Sequence, residues 1–362
     1  ARTMHPTHSI ANRRIMTSPS SPVEAADPFT APFGTLFGDK ITIARMEAGD
    51  DYRYSGSAEP MENFSLHPAT HALHYGSTCF EGMKAFRQND GSLAIFRLDD
   101  HVRRLAQTVA QLHMSVPDVA LVKTMIIDAA EANASHTPDA PGSLYLRPTL
   151  LGMQINIGAA ATPSDSAMFY VFASPVGDYF AGGVRPLTIH VETNTPRTTP
   201  QFGRAKAGAN YAMALGPTLD AKAAHGADQV LFASGGDVTE TGAANFFLVD
   251  NDRVITRELD DSFLHGVTRS SVLALAVVLG YGVEERRISL DELREWASRG
   301  EAFLSGTAAI IAPVGTLNLE GDTVTFGDGQ PGPNTLRLRD ALTDIQVGAA
   351  VDSHRWLTRI AG

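Results

Sequence analysis

Several short strings in this chain combine chemically able residues with small neighbours that leave them accessible. In Gly203-Arg204-Ala205-Lys206-Ala207-Gly208-Ala209-Asn210-Tyr211 nothing bulky blocks the Lys206 amine, which lies just before an expected helix. A lysine that forms a Schiff base needs such access, with surroundings that lower its pKa. The same string also fits a solvated loop lysine. In Thr239-Glu240-Thr241-Gly242-Ala243-Ala244-Asn245-Phe246-Phe247 a carboxylate enters a turn of small residues ahead of an apolar strand. Placed there, it could keep the ring nitrogen of an aromatic cofactor protonated so that the ring accepts electrons. A capping glutamate is the plain alternative.

Two further strings would suit an anion. Leu264-His265-Gly266-Val267-Thr268-Arg269-Ser270-Ser271 runs into an apolar helix, so a glycine turn presents open amides and hydroxyls at a helix start. That is a cup for a phosphate dianion, although simple N-capping by Thr268 or Ser270 would look the same. Leu304-Ser305-Gly306-Thr307-Ala308-Ala309 places another hydroxyl on a glycine turn between strands. Two other patterns are set aside. Gly327-Asp328-Gly329-Gln330-Pro331-Gly332 spells a dinucleotide fingerprint, but Pro331 removes an amide and no acid-tipped strand follows. His67, His71 and His74 lack a supporting carboxylate at ligand spacing, so no metal is expected.

Composition narrows the class. At 362 residues the chain exceeds the roughly 250–300 residues of a single core, which favours two domains. With 43% hydrophobic and 19% charged residues it is an ordinary globular chain. A formal charge of −11 without a basic run disfavours nucleic acid. Cys79 is the single cysteine, which excludes an intramolecular disulfide and a multi-cysteine zinc site and points to a reducing compartment. No apolar run reaches the roughly 18 residues of a membrane span. Residues 1–23 carry Arg2, Arg13 and Arg14 and no acid, a composition shared by loose tails and transit peptides. The cytoplasm is therefore the expected location, or an organellar matrix if the segment is a transit peptide.

The elements that must position these strings alternate. Order is expected from about Phe33, with strands over 40–46 and 93–96 and a helix from Leu98, where Val102, Leu105, Val109 and Leu112 keep a helical period. A second helix over 119–132 and β-rich runs over 143–151 and 167–173 complete an α+β half. The Gly-, Pro- and Thr-rich stretch 177–200, with a strand-like run at 187–191, is the best candidate for a boundary. The expected division is an extension over 1–32, a small domain over 33–180, a linker over 181–200 and a large domain over 201–362. In the last, helices over 212–224, 268–279, 290–297 and 334–348 alternate with strands over 229–233, 245–249, 254–256, 283–288, 302–304 and 310–314.

Taken together, the strings resemble the branched-chain amino acid aminotransferases, fold-type IV enzymes that use pyridoxal phosphate. The likeness spans roughly 35–360. It includes Leu73-His74-Tyr75-Gly76, Phe80-Glu81-Gly82-Met83-Lys84-Ala85-Phe86-Arg87, Phe96-Arg97-Leu98, Arg104-Leu105, Tyr145-Leu146-Arg147-Pro148 and Ser174-Pro175-Val176-Gly177-Asp178-Tyr179-Phe180. The Lys206, Glu240, Gly266 and Thr307 strings follow in the family's order. The resemblance implies an α+β fold in which a smaller N-terminal α/β domain and a larger, mixed, barrel-like domain enclose the active site. It implies that Lys206 forms the internal aldimine and shuttles the proton. Glu240 would hold the pyridine nitrogen and Tyr211 the phenolic oxygen. Arg104, rather than the tempting Arg97, would bind phosphate with Gly266, Val267, Thr268, Gly306 and Thr307.

The same resemblance implies a substrate site shared across a homodimer. Tyr75, Phe80, Tyr145 and Tyr179 would box an aliphatic side chain, Arg147 would accommodate the second carboxylate of glutamate, and amides near Thr307 and Ala308 would take the α-carboxylate. The expected activity is reversible transfer of the amino group of leucine, isoleucine or valine to 2-oxoglutarate. The alternatives are a D-amino acid transaminase, an aminodeoxychorismate lyase, or a binding protein of the same fold. The chain departs from the family in two places. Animal members carry Cys-x-x-Cys where Ala309 and Ala312 stand, and several members have Thr at the Ala243 position.

Overall fold

The computed structural model describes residues 26–180 and 183–360. Most of the expected extension over 1–32 lies outside that range. The first half contains β1 (Lys40–Met46), β2 (Arg53–Tyr54), β3 (Glu59–Pro60), α1 (His71–Tyr75), β4 (Thr78–Phe80), β5 (Met83–Arg87), β6 (Leu93–Phe96), α2 (Leu98–Gln111), α3 (Val119–Ala132), β7 (Ser143–Gly152) and β8 (Ala167–Val176). Asp99 and Asp100 sit in the first turn of α2, where acids favour the helix dipole. The Asp118 carboxylate caps α3 by accepting from the Ala120 and Leu121 amides at 2.8 and 3.1 Å. The buried stripe of α2 carries Leu98, Val102, Leu105 and Val109, and also His101, Arg104 and Thr108. Polar groups are thereby carried inward on an otherwise apolar face.

The second half contains β9 (Leu187–Glu192), α4 (Gly208–His225), β10 (Gln229–Phe232), β11 (Asn245–Val249), β12 (Arg253–Thr256), α5 (Val267–Val278), β13 (Gly282–Glu285), α6 (Leu290–Trp296), β14 (Glu301–Gly306), β15 (Ile310–Leu319), β16 (Asp322–Thr325), α7 (Pro333–Gln346) and β17 (Leu357–Ile360). Among the described residues the strands form two sheets. The first runs β17-β6-β5-β7-β8-β1-β2, with β3 on β1 and β4 on β7. All its pairs are antiparallel, and β7 and β8 pair from Ser143↔Val176 to Gly152↔Ala167. The second runs β10-β9-β15-β14-β11-β12-β13, with β16 on β15. It is mixed: β9 lies parallel to both β10 and β15, and β12 parallel to β13.

Two stretches sit differently from the linear division expected. Residues 187–192 fall in the expected linker, yet form β9 inside the second sheet, where Leu187, Ile189 and Val191 point alternately into its core. Residues 357–360 fall in the expected large domain, yet β17 pairs with β6 and covers the edge of the first sheet. A shared apolar core joins the halves: Phe86 and Phe96 of the first sheet pack in one cluster with Phe247, Phe303, Val272 and Leu338 of the second half. Its rings include the stacked pair Phe247–Phe303, with centroids 4.7 Å apart.

Candidate active site

Lys206 lies two residues ahead of α4, in a loop held from three sides. Gly203 passes so close to the Ser262 and Phe263 backbone that a Cβ there would overlap it. The Phe80 amide donates to the Lys206 carbonyl at 3.1 Å, and the Lys206 amide donates to Thr108 Oγ1 at 3.2 Å. Strand β4 and helix α2 thus fix the lysine's backbone. Helix α4 begins at Gly208 rather than near Ala212, so Tyr211 is in its first turn. From there Tyr211 Oη meets Lys206 Nζ at 2.7 Å. Burial alone would raise the Tyr211 phenol, but Lys206, Arg197 and Arg104 hold it below its ordinary value.

Glu240 is buried in the turn between β10 and β11. Its Oε1 accepts from the Leu264 amide at 3.0 Å and lies 2.7 Å from Arg197 Nη1, while Asn245 Nδ2 approaches Oε2 at 3.4 Å. Burial raises its pKa, and Arg197 opposes the rise without cancelling it. Arg197 also donates from Nε and Nη2 to the Gly242 carbonyl at 3.2 and 3.1 Å, tying down the turn that carries the carboxylate. Neither Arg197 nor Asn245 was singled out from the sequence. Arg197 lies in a Pro- and Thr-rich stretch that reads as a linker, and its only local signal is a lone arginine flanked by prolines.

The N-terminus of α5 has Gly266 at its cap and no side-chain cap, leaving amides of the first turn for an outside acceptor. Arg104 lies beside it and donates from Nη1 to the His265 carbonyl at 3.1 Å. Its Nε and Nη2 form a fork onto Glu81 at 2.6 and 2.8 Å, which leaves a further N–H on each terminal nitrogen. Glu81 also meets His101 Nδ1 at 2.8 Å. Burial would raise the Glu81 carboxyl, but Arg104 and His101 hold it well below the usual carboxylate range. Arg97 points elsewhere, to Asp100, Ser270 and Ser271.

Lys206, Glu240, Arg104, Gly266, Val267, Thr268, Gly306 and Thr307 line one cavity, together with Ala243, Ala244, Asn245, Leu264 and Ser305. A second, more apolar cavity shares Ala243, Ala244, Ser305, Gly306 and Thr307 with it and adds Tyr179 and Ala308. Phe80 reaches the lysine, its ring centroid 5.0 Å from Lys206 Nζ. The Arg147 guanidinium lies 4.6 Å from the same ring and donates from Nη2 to Tyr145 Oη at 3.1 Å. Phe33 links Tyr145 and Tyr179 by edge contacts at 5.2 and 6.2 Å. Tyr75 is not among the residues lining either cavity; its hydroxyl bonds the Ile157 carbonyl on an exposed segment. His67, His71 and His74 bond to separate partners, and the loop carrying the set-aside glycine pattern leads into α7.

The amino-transferase class IV family model matches residues 78–317. The chain is 39% identical over 341 residues to a probable branched-chain-amino-acid aminotransferase of Streptomyces coelicolor, covering 91% of this chain and 92% of that one. It is 35% identical to branched-chain-amino-acid transaminase 1 of Bacillus subtilis, covering 93% and 96%. Among solved structures it superposes on the branched-chain amino acid aminotransferase of Thermobaculum terrenum in its PLP-form, with a TM-score of 0.73, 25% identity and coverage of 90% and 99%. A model spanning most of the chain and relatives matched nearly end to end make this protein a member of the class IV amino-transferases, in their branched-chain amino acid aminotransferase group.

Proposed function

We propose that this chain moves the amino group of L-leucine, L-isoleucine or L-valine reversibly to 2-oxoglutarate, with pyridoxal 5'-phosphate as its cofactor. One observation carries the site: Lys206, Glu240, Arg104 and the open start of α5 line a single cavity. Those residues fit the cofactor. An anion-binding end and a buried carboxylate both border the lysine's cavity, and Ser305 Oγ is buried there without a partner.

Bound in that cavity, the cofactor supplies an electron-accepting ring to the substrate's Cα. Lys206 holds the cofactor and moves the proton at Cα. Glu240 keeps a proton at the ring nitrogen, and burial makes it a stronger acceptor than an exposed carboxylate. Tyr211 holds the phenolic oxygen and orients the Lys206 amine. Arg104, the amides of Val267 and Thr268 beside Gly266, and Thr307 beside Gly306 grip the phosphate. Phe80, Tyr145 and Tyr179 enclose the aliphatic side chain and keep water out, and Arg147 receives the second carboxylate of glutamate. Amides at Thr307 and Ala308 take the α-carboxylate.

Two copies pair in this reading. Tyr75, with the exposed Leu73 beside it in the chain and Ile155 and Ile157 on the segment that its own segment pairs with, completes the apolar box of the second copy. No described helix is long and apolar enough to cross a membrane. With bacterial aminotransferases as its relatives, the proposed site of action is the cytoplasm. The Lys206→Ala protein tests the assignment. It should keep a wild-type thermal transition, lose the visible cofactor band and lose more than about 1,000-fold of its leucine transamination. Activity within about ten-fold of wild type would overturn the role of Lys206.

A further inference from the structure

The turn over 307–309 joins β14 to β15 and borders both cavities. Two cations hold its carbonyls. Lys84 lies on β5, opposite Tyr145 of β7 in the sheet register, and its buried ammonium donates to the Ala308 carbonyl at 2.9 Å. Arg339 lies on α7 in the other half and donates from Nη1 to the carbonyls of Ala309 and Ile311 at 2.7 and 2.6 Å. Its Nη2 faces Asp178 Oδ1 at 3.4 Å, which places one carboxylate beside the two cations.

The backbone between these anchors is unusual. Ile310 has a φ of 63°, a left-handed conformation that a β-branched residue rarely adopts and that persists only where the surroundings impose it. A trans peptide is planar, so a held carbonyl also fixes the N–H on its far side. Lys84 sets the peptide after Ala308 and Arg339 the one after Ala309. The Thr307–Ala308 peptide is thereby confined between these and the paired end of β14 at Gly306↔Ile310. Arg339 is itself well placed, because Glu301 accepts from the Asn334 and Thr335 amides at 2.9 and 2.8 Å and fixes the start of α7.

We propose that Lys84 and Arg339 are positioning residues that hold the 307–310 turn in the shape that receives the substrate's α-carboxylate. The proposal rests on the reading above that amides of this turn take that carboxylate. Both residues act through the turn rather than on the cofactor, whose phosphate keeps Arg104 and the α5 amides. Their loss therefore appears in substrate affinity and not in cofactor loading.

The test uses cofactor-loaded Lys84→Met, Lys84→Arg and Arg339→Lys proteins. Steady-state rates are measured with L-leucine and 2-oxoglutarate. Binding of 4-methylvalerate, the leucine skeleton without its amine, is followed by the change it causes in the visible cofactor band. For Lys84→Met the KM of both substrates and the Kd of 4-methylvalerate should rise about ten-fold or more, with kcat within about three-fold and the cofactor band retained. Lys84→Arg should restore most of the affinity. Arg339→Lys, which keeps the charge but ends one bond short of the Nη1 that reaches both carbonyls, should repeat the loss, and it decides the matter if Lys84→Met does not fold. Wild-type Kd for 4-methylvalerate in Lys84→Met or Arg339→Lys, or a loss confined to kcat, would overturn the proposal. Wild-type enzyme is also compared with the neutral 4-methylpentanamide: equal binding of amide and acid would overturn the carboxylate reading itself, whatever the variants do.

Discussion

Lys84 carries its ammonium on a strand with almost no exposed surface, and burial pulls its pKa down to about 8; Asp178 opposes that shift and Arg339 adds to it. Between about pH 8 and 10.5 the unfolded chain therefore binds more protons at this residue than the folded one, so its contribution to stability rises with pH across that window. Below pH 8 the full cost of burying the charge applies. Urea unfolding of wild type and Lys84→Met should show the difference in wild type's favour growing from pH 8 to 10.5, by on the order of 3 kcal/mol. A difference that shrank over the same range would mean that the fold favours the charged amine. Glu240 gives a second expectation of this kind. Burial raises the Glu240 pKa even with Arg197 beside it, so the folded chain favours the neutral side chain; Glu240→Gln should therefore be no less stable than wild type in urea near neutral pH, and a marked loss would mean that the fold favours the charged pair. Lys206, Glu240, Gly266 and Thr307 are legible in the sequence because each sits in a string of small neighbours; Arg104, Tyr145 and Arg147 are legible only through the family resemblance. Their buried partners are not: Arg197, His101 and Arg339 come from distant segments, and nothing local marks a charge that will be taken inside.

Elements were legible where their period was clean. Strand β1 falls where alternation places it, β6 and β11 where short continuous apolar runs do, and helix α3 where helical spacing does. The short β4 and β5 were not expected as strands, because Glu81, Gly82 and Lys84 interrupt the apolar pattern; these are the residues that face Arg104, Tyr145 and the 307–310 turn. Site chemistry and strand propensity compete there, and tertiary pairing with β7 decides. Strand β9 reads as a run within a linker because its flanks are rich in Gly, Pro and Thr; only its place between β10 and β15 makes it an interior strand. Helix α7 shows how one side chain can secure an element. Glu301 accepts from two of its opening amides and from Asn334 Nδ2, so Glu301→Ala should lower stability by about 1–2 kcal/mol by urea unfolding. No loss of stability would show that water replaces this cap at no cost.

At the scale of the molecule, Tyr75 and the large apolar side chains Leu73, Ile155 and Ile157 are exposed and left uncovered by one chain. Sedimentation should find a dimer, and Ile157→Asp should shift it towards monomer while lowering leucine transamination; a monomeric wild type with full activity would remove the shared-site reading. The last strand carries a different consequence. Strand β17 closes the β6 edge of a sheet whose other strands come from the first half of the sequence. During synthesis, that earlier sheet waits with one row of amides and carbonyls bare until everything in between has been made and folded. The protein therefore cannot finish its first half before its second, and cutting the chain just before Leu357 would leave an edge ready to pair with a neighbouring molecule.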